Sequence, residues 1–168
     1  MEFVLIGLGA NLDHPRHGSP RQTLEAALQA LAGPDLVLRG CSRWYRSAPV
    51  PPSDQPWFVN GVAAFETALD PAALLARLHG VEAEFGRRRG LRNAARTLDL
   101  DLLDHGGRVS RPGALPELPH PRLAERAFVL LPLAELAPAW RHPASGRPIT
   151  ALLAALPPDP GAEPLEGI

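Results

Sequence analysis

The sequence predicts an α+β fold of the ferredoxin-like, split βαβ type (βαββαβ), followed by a C-terminal helical appendage. Apolar runs typical of strands alternate with segments of helical periodicity in the order strand, helix, strand, strand, helix, strand. Clusters of glycine and proline separate these segments, and we find no sign of a second core. We expect residues 1–157 to form a single domain, because 168 residues suit one core, and residues 158–168 to form a flexible, Pro/Gly-rich tail.

The first half of the chain begins with an apolar run that ends in glycine, residues 2–9, which predicts a buried strand. Apolar residues at helical spacing predict a helix over residues 21–31, with Ser19 placed to cap it. The second strand is predicted over residues 36–45. The proline-rich segment 49–56 follows as a long loop, and loops of this kind are often functional.

The second half continues with a third strand over residues 58–66 and a helix that Asp70 caps. Strict alternation of apolar and polar residues over 97–103 predicts the fourth strand. Two apolar stretches, residues 128–136 and 149–156, predict the helices of the appendage.

The charge composition limits the chemistry that this chain can perform. The formal net charge is −1, so no overall field attracts nucleic acid or an acidic membrane. All 17 basic residues are arginine, which excludes a Walker-type lysine, a Schiff-base lysine and a lysine general base. Any site for an anion must therefore be local and built from arginine, histidine or a metal ion.

The single cysteine, Cys41, has no partner for an intramolecular disulfide and is expected to be a small core residue without a catalytic role. No apolar run is long enough to predict a membrane span, and no leader segment is apparent, so we expect a cytoplasmic protein. His14, His17, His105 and His142 lack metal-ligand spacing and are expected at the surface.

Asp99 and Asp101 are the most informative pair of residues. On a strand, side chains two positions apart point to the same face, so the two carboxylates lie side by side while leucines fill the other face. Paired carboxylates without His or Cys suit Mg²⁺ bound together with substrate phosphates. An amphipathic strand that shows a solvated face would have the same pattern, and the sequence alone leaves both interpretations open.

Five arginines precede this strand, namely Arg87, Arg88, Arg89, Arg92 and Arg96. A solvated, charged loop would explain them, but cations next to a candidate metal site also form a clamp for a polyphosphate. We favour the clamp because the two charge types lie so close in the sequence.

Other residues could contact a nucleotide or a planar ring. His120 lies between two prolines with Arg122 and Arg126 nearby, which suits either hydrogen bonding to phosphate or a structural role. Trp57, Phe58 and Phe128 could stack on a heterocycle and Asn60 could bind its edge, although core packing is the more common role of a single aromatic residue.

Five motifs follow one another along the chain: Gly-Ala-Asn-Leu at 9–12, Tyr-Arg-Ser-Ala-Pro at 45–49, Gln-Pro-Trp-Phe-Val-Asn at 55–60, Arg-Thr-Leu-Asp-Leu-Asp-Leu-Leu at 96–103 and Pro-His-Pro-Arg at 119–122. In this order they resemble the motifs of the 6-hydroxymethyl-7,8-dihydropterin pyrophosphokinases of folate biosynthesis. The resemblance extends over roughly residues 2 to 150, and the block at 96–103 is highly specific.

This resemblance implies Mg²⁺-dependent transfer of pyrophosphate from ATP to the hydroxymethyl group of 6-hydroxymethyl-7,8-dihydropterin, with release of AMP. It places two Mg²⁺ ions on Asp99 and Asp101, and Phe58 and Phe128 on either side of the pterin ring. It implies these further roles: catalytic Arg87, Arg89 and Arg96; ATP-binding Glu82, Leu102, His120, Arg122 and Arg126; pterin-binding Ser47, Ala48, Val50, Phe58, Asn60, Asn93 and Phe128. We expect a monomer that binds these small molecules, without nucleic acid or membrane partners.

The chain departs from the family pattern at three positions. Asn93 stands where some members have Trp, Ala95 replaces a proline, and His79 replaces a glutamine. A nucleotide- or nucleic-acid-binding module is the alternative function for this fold, since similar sandwiches bind RNA through aromatics on the sheet. The net charge of −1 argues against that alternative.

Overall fold

A computed structural model describes residues 1–49, 51–86 and 97–165. These ranges contain an antiparallel sheet and four α-helices, together with a short 3₁₀ turn at Leu123–Glu125. In chain order the elements are β1 (Glu2–Ala10), α1 (Pro20–Leu31), β2 (Leu36–Cys41), β3 (Tyr45–Ser47), β4 (Phe58–Thr67), α2 (Pro71–Glu84), β5 (Asp99–His105), α3 (Ala127–Leu136), α4 (Ile149–Ala154) and β6 (Ala162–Pro164). The predicted order of strands and helices is present, with one strand divided in two.

The sheet has the strand order β5-β1-β4-β3-β6, and β2 pairs with the far end of β4. The predicted second strand, residues 36–45, is therefore two strands that both lie along β4. The break occurs at Ser42, whose Oγ accepts a hydrogen bond from the backbone N–H of Val62 at 3.0 Å. A side-chain oxygen there takes the place of a backbone carbonyl, which interrupts the regular ladder.

Helices cover both faces of the sheet. On one face, α1 and α2 pack on Val4, Ile6 and Leu8 of β1. On the other face, α3 and α4 pack on Leu5 and Val62 in a second buried cluster, which the sequence did not predict. The C-terminal appendage is thus a third layer of the fold.

The predicted helix starts are confirmed. Ser19 and Gln22 form a capping box at the start of α1, and the Asp70 carboxylate accepts the backbone N–H of Ala73 at 2.8 Å at the start of α2. Each cap satisfies backbone donors that a helix leaves free in its first turn.

A β-bulge interrupts the register of β5 against β1. Ile6 pairs with Leu102, but Leu5 pairs with Asp104, so Leu103 is the extra residue. One extra residue reverses the alternation of side chains along the rest of the strand. Beyond the bulge, Asp104 therefore points to the same face as Leu5, and His105 points to the opposite face, with Val4.

His105 is fully buried, with Nε2 2.8 Å from the carbonyl oxygen of Leu69, so its expected surface position is wrong. Cys41 is exposed rather than buried in the core. The segment 158–168, expected to be a flexible tail, contains β6, which pairs with β3.

In the described ranges, no helix is long and apolar enough to cross a bilayer.

Candidate active site

A cavity of about 480 Å³ lies on the sheet face that α3 and α4 cover, beside the first turn of α3. Its floor includes Gly7 and Gly9 of β1, which contribute no side chains to fill it. Asp99 and Asp101 line one part of the cavity, and Phe58, Asn60 and Phe128 line another. Candidate residues from distant parts of the sequence therefore meet in one space.

The two carboxylates project from β5 as the alternation predicts. Asp99 pairs with Gly9 and Asp101 pairs with Gly7 in the sheet register, so neither carboxylate has a side chain opposite it on β1. Leu98, Leu100 and Leu102, at most 4% exposed, pack into the core on the other face. The aspartate face is thus a wall of the cavity and not simply a solvated strand face.

Cationic side chains approach Asp101 from the segment that leads into α3. Arg126 Nη1 lies 3.6 Å from Asp101 Oδ2, and both Arg122 and Arg126 line the cavity. The Arg126 guanidinium also lies 5.5 Å from the centroid of the Phe128 ring. Carboxylates and arginines side by side suit a metal-bound polyanion, because each group offsets part of the ligand's charge.

His120 lies next to Asp101, with Nε2 3.9 Å from Oδ1. Burial, followed by the nearby charge of Arg126, lowers the pKa of His120 to about 4, so its ring is neutral at pH 7. Nδ1 accepts the backbone N–H of Arg122 at 3.2 Å, which leaves the ring proton on Nε2. The Nε2–H therefore points toward the Asp101 carboxylate as a neutral hydrogen-bond donor.

The donor set fits a hard divalent cation. Asp99 and Asp101 offer carboxylate oxygens to the same space, and no group of three or more His, Cys, Asp or Glu side chains with metal-site geometry occurs in the described ranges. Mg²⁺ is commonly held in this way, by one or two carboxylates together with water and substrate phosphates. These two residues would hold the ion.

The other part of the cavity combines two aromatic rings with a buried polar pair. Phe58 begins β4 and Phe128 lies in the first turn of α3. Asn60 Nδ2 donates to Ser47 Oγ at 2.6 Å, and both residues are at most 5% exposed. A Cβ at Gly9 would lie only 2.9 Å from Asn60 Oδ1, so glycine there leaves room for the amide. Ala48, also predicted as a site residue, lines this part as well.

Three predicted nucleotide contacts are not among the residues that line the cavity: His120, Glu82 and Leu102. Glu82 is 1% exposed and its Oε2 accepts the backbone N–H of Leu100 at 2.8 Å. Leu102 is 4% exposed and belongs to the core beneath α1 and α2. Their contacts with ATP stay predictions. Trp57, the third aromatic candidate, is 45% exposed, with the Arg46 guanidinium 4.5 Å from its ring centroid.

Several predicted site residues lie outside the described residues: Val50, Arg87, Arg88, Arg89, Arg92, Asn93 and Arg96. Ala95, one of the departures from the family pattern, lies outside them as well. Their assignments stay predictions.

Residues that the sequence analysis did not single out also shape the site. Asn11 is 2% exposed, and its Nδ2 donates to Gln55 Oε1 at 3.1 Å and to the carbonyl oxygen of Pro56 at 3.0 Å. This pair joins the loop after β1 to the loop that leads into Phe58. Asn11 and Gln55 each lie within one of the five motifs, and this was the feature of the sequence that could have indicated their role in the site. Pro160 also lines the cavity, but no motif in the sequence includes it.

Comparisons with known proteins find close relatives of this chain. A sequence model of the 7,8-dihydro-6-hydroxymethylpterin-pyrophosphokinase (HPPK) family matches residues 5–138. A 2-amino-4-hydroxy-6-hydroxymethyldihydropteridine pyrophosphokinase of Pseudomonas aeruginosa is 47% identical over 160 residues, which cover 94% of this chain and 93% of that protein. The Haemophilus influenzae protein of the same name is 41% identical over 138 residues, 82% of each chain.

Similar folds occur among solved structures. The crystal structure of Plasmodium falciparum HPPK-DHPS with pteroate has a TM-score of 0.70 at 12% sequence identity. The match covers 91% of this chain but only 44% of that longer one. At this identity, the likeness shows a shared fold.

Proposed function

Because the chain belongs to the 7,8-dihydro-6-hydroxymethylpterin-pyrophosphokinase family, we propose that it transfers pyrophosphate from ATP to 6-hydroxymethyl-7,8-dihydropterin in folate biosynthesis. The products are the pterin diphosphate and AMP. The observation that carries the proposal is the meeting of Asp99 and Asp101 with Phe58, Asn60 and Phe128 in one cavity. A polyphosphate and a planar heterocycle could bind there next to each other.

The reaction exchanges one phosphorus–oxygen bond for another. The hydroxymethyl oxygen of the pterin attacks the β-phosphorus of ATP and loses its proton to solvent. The bond from the β-phosphorus to the oxygen that bridges to the α-phosphorus breaks, and AMP leaves with that oxygen. No covalent intermediate with the protein is needed, so positioning and charge stabilisation provide the catalysis.

The carboxylate part of the cavity would bind the triphosphate. We propose that Asp99 and Asp101 hold two Mg²⁺ ions, which when bound offset the negative charge of the phosphate oxygens. Arg122 and Arg126 line this part and add positive charge that no proton transfer can remove, because arginine stays protonated. His120 contributes the Nε2–H as a neutral donor to a phosphate oxygen.

The aromatic part would bind the pterin. Phe58 and Phe128, which both line the cavity, would stack on opposite faces of the ring, a contact that favours flat, polarisable molecules. The amide of Asn60, held by Ser47, offers a donor and an acceptor to the ring edge. Because the substrate hydroxyl is attached to this ring, binding the ring also positions the attacking oxygen.

The strand order supports the finer fold assignment. β5, β1, β4 and the pair β2/β3 stand in the antiparallel order of a split βαβ unit, with α1 and α2 on one face. We infer that residues 2–105 form this ferredoxin-like unit and that α3, α4 and β6 are added to it. A monomeric state and a cytoplasmic location stay predictions.

The test is to incubate the protein with ATP, Mg²⁺ and 6-hydroxymethyl-7,8-dihydropterin and to separate the nucleotides by chromatography. We expect AMP that forms only when the pterin and Mg²⁺ are both present, with one pterin diphosphate for each AMP. Omission of the pterin and addition of EDTA are the controls. Formation of ADP instead of AMP would mean single phosphoryl transfer and would overturn the proposal, as would the absence of turnover.

A further inference from the structure

The C-terminal segment 160–165 contacts the aromatic part of the cavity, although it lies beyond residues 5–138, the range that the family model matches. It comprises Pro160, Gly161, the strand β6 and Leu165. Its role is not part of the function proposed above.

This segment pairs with β3 over the whole length of that short strand. Ser47 pairs with Ala162 and Tyr45 with Pro164 in antiparallel register. The ladder extends at both ends, because Leu165 N–H donates to the carbonyl oxygen of Trp44 at 2.9 Å and Ala48 N–H donates to that of Gly161 at 3.0 Å.

Without β6, β3 would be an edge strand of three residues. A strand this short, bonded only to β4, opens readily, because few hydrogen bonds and little buried surface hold it. Ser47 and Ala48, which line the cavity, stand at the end of this strand. Pairing with β6 therefore fixes the two residues against the ring-binding part of the cavity.

The same segment reaches two other walls of the cavity. Pro160 itself lines it, and β6 packs against α3, the helix that carries Phe128. Leu165 packs against the main core and anchors the far end of the segment. The segment thus connects both sides of the aromatic part.

Side-chain charges are not the main link. Glu163 and Arg46 form a cross-strand ion pair at 3.2 Å, but both side chains are about half exposed, at 60% and 47%. Exposed ion pairs contribute little because water and salt screen them. The backbone ladder and the anchored Leu165 carry the connection.

We propose that residues 160–165 are part of the pterin-binding site and determine its affinity for the heterocycle. Pro160 supplies a piece of the wall, and β6 holds Ser47 and Ala48 in the binding arrangement before substrate arrives. A site organised in advance binds more tightly, because less ordering is needed on binding. This inference rests on the proposed function and adds to it a substrate-positioning segment.

The test compares two glycines with nearly the same backbone conformation. Gly161 has a φ of +74° and Gly146, in the turn before α4 and away from the cavity, has a φ of +72°; an added Cβ meets nothing within 4 Å at either. Valine is strained at such angles. Gly161→Val must shift the carbonyl that Ala48 N–H binds, whereas Gly146→Val imposes the same strain elsewhere.

Binding of 6-hydroxymethylpterin is measured by fluorescence titration on the full-length chain, with Mg²⁺ and a non-hydrolysable ATP analogue present. We expect Gly161→Val to weaken pterin binding about tenfold or more through loss of preorganisation, and to leave the affinity for the ATP analogue within about twofold. Gly146→Val should leave both affinities near those of the wild-type protein. Equal pterin affinity in the two variants would overturn the inference.

A second variant covers the case in which Gly161→Val does not fold. Pro160→Ala keeps the ladder and removes part of the wall, so we expect pterin binding about threefold weaker from lost apolar contact. Wild-type affinity in this folded variant would also overturn the inference.

An inactive wild-type protein that does not bind the pterin would instead contradict the proposed function, and the inference with it. An active wild-type protein with unaffected variants would contradict the inference alone.

Discussion

The carboxylate oxygen Oε2 of Glu82 accepts the backbone N–H of Leu100 at 2.8 Å. In the part of the sheet that the structure describes, β5 is the edge strand on this side, and this N–H points outward, away from β1. Leu100 stands between Asp99 and Asp101. A buried glutamate on α2 therefore fixes the edge strand at the point where the two candidate metal ligands leave it.

The first prediction concerns this bond. Glu82→Ala leaves the Leu100 N–H without this acceptor, and we expect a loss of about 1–3 kcal/mol in the free energy of unfolding together with lower activity. Glu82→Gln keeps an acceptor oxygen and should retain more stability than the alanine variant. Urea denaturation followed by fluorescence provides the measurement. Equal losses in both variants would show that the charge of Glu82 matters rather than this hydrogen bond.

Local periodicity was enough to predict the arrangement on β5. Asp99 and Asp101 share one face and Leu98, Leu100 and Leu102 share the other, as an alternating strand requires. Capping residues likewise predicted the starts of α1 and α2, because a cap involves only neighbours in the sequence. These signals are local, and the fold preserves them.

Features that depend on distant partners were not predictable in this way. His105 is buried because the bulge at Leu103 turns it to the face of Val4, and a bulge is set by the pairing with β1. The break at Ser42 depends on Val62, and the wall at Pro160 depends on the pairing of β6 with β3. The pattern of apolar and polar residues along one strand does not indicate which strand pairs with it.

The second prediction concerns the thiol of Cys41. Cys41 lies outside the core and is exposed, but neighbouring atoms still remove part of the water around its thiol. This desolvation, followed by the negative charges of Glu135 and Glu25, raises the pKa of Cys41 to about 11. Below that pKa the unreactive thiol predominates, so alkylation by iodoacetamide at pH 8 should be on the order of 100-fold slower than for a thiol of pKa about 8.5. The rate should rise roughly tenfold per pH unit between pH 8 and 10. The same protein unfolded in urea is the control, and rapid alkylation of the folded protein at pH 8 would contradict the prediction.

The third prediction separates the two parts of the cavity. Ser47→Ala removes the acceptor of the Asn60 amide, which is buried and held at 2.6 Å. The amide then loses its fixed orientation, and we expect the KM for the pterin to rise about tenfold from the lost hydrogen bond while the KM for ATP changes little. Ser53→Ala is the matched control, because Ser53 also lines the cavity but is exposed. An equal rise in both KM values would indicate general damage to the site.

The fourth prediction compares carboxylates on the same strand. Asp101→Asn removes one charge from the candidate metal site, and we expect turnover to fall by about 10³-fold or more, since phosphoryl transfer depends on that charge balance. Asp101 is 31% exposed and does not belong to either buried cluster of the fold, so the melting temperature should change little.

Asp104→Asn is the control for that variant. The Asp104 carboxylate accepts the indole N–H of Trp140 at 2.9 Å and the backbone N–H of Gly107 at 3.0 Å, beyond the bulge and outside the cavity lining. Because an amide replaces one of its acceptor oxygens with a donor, we expect a lower melting temperature. Its turnover at a temperature where it stays folded should remain near that of the wild-type protein. We thus expect Asp104→Asn to lose stability but not turnover, and Asp101→Asn to lose turnover but not stability. This pair of results would show that Asp101 acts in catalysis and that Asp104 acts in the structure of the sheet. Full turnover in Asp101→Asn would rule out that residue as a metal ligand needed for the reaction.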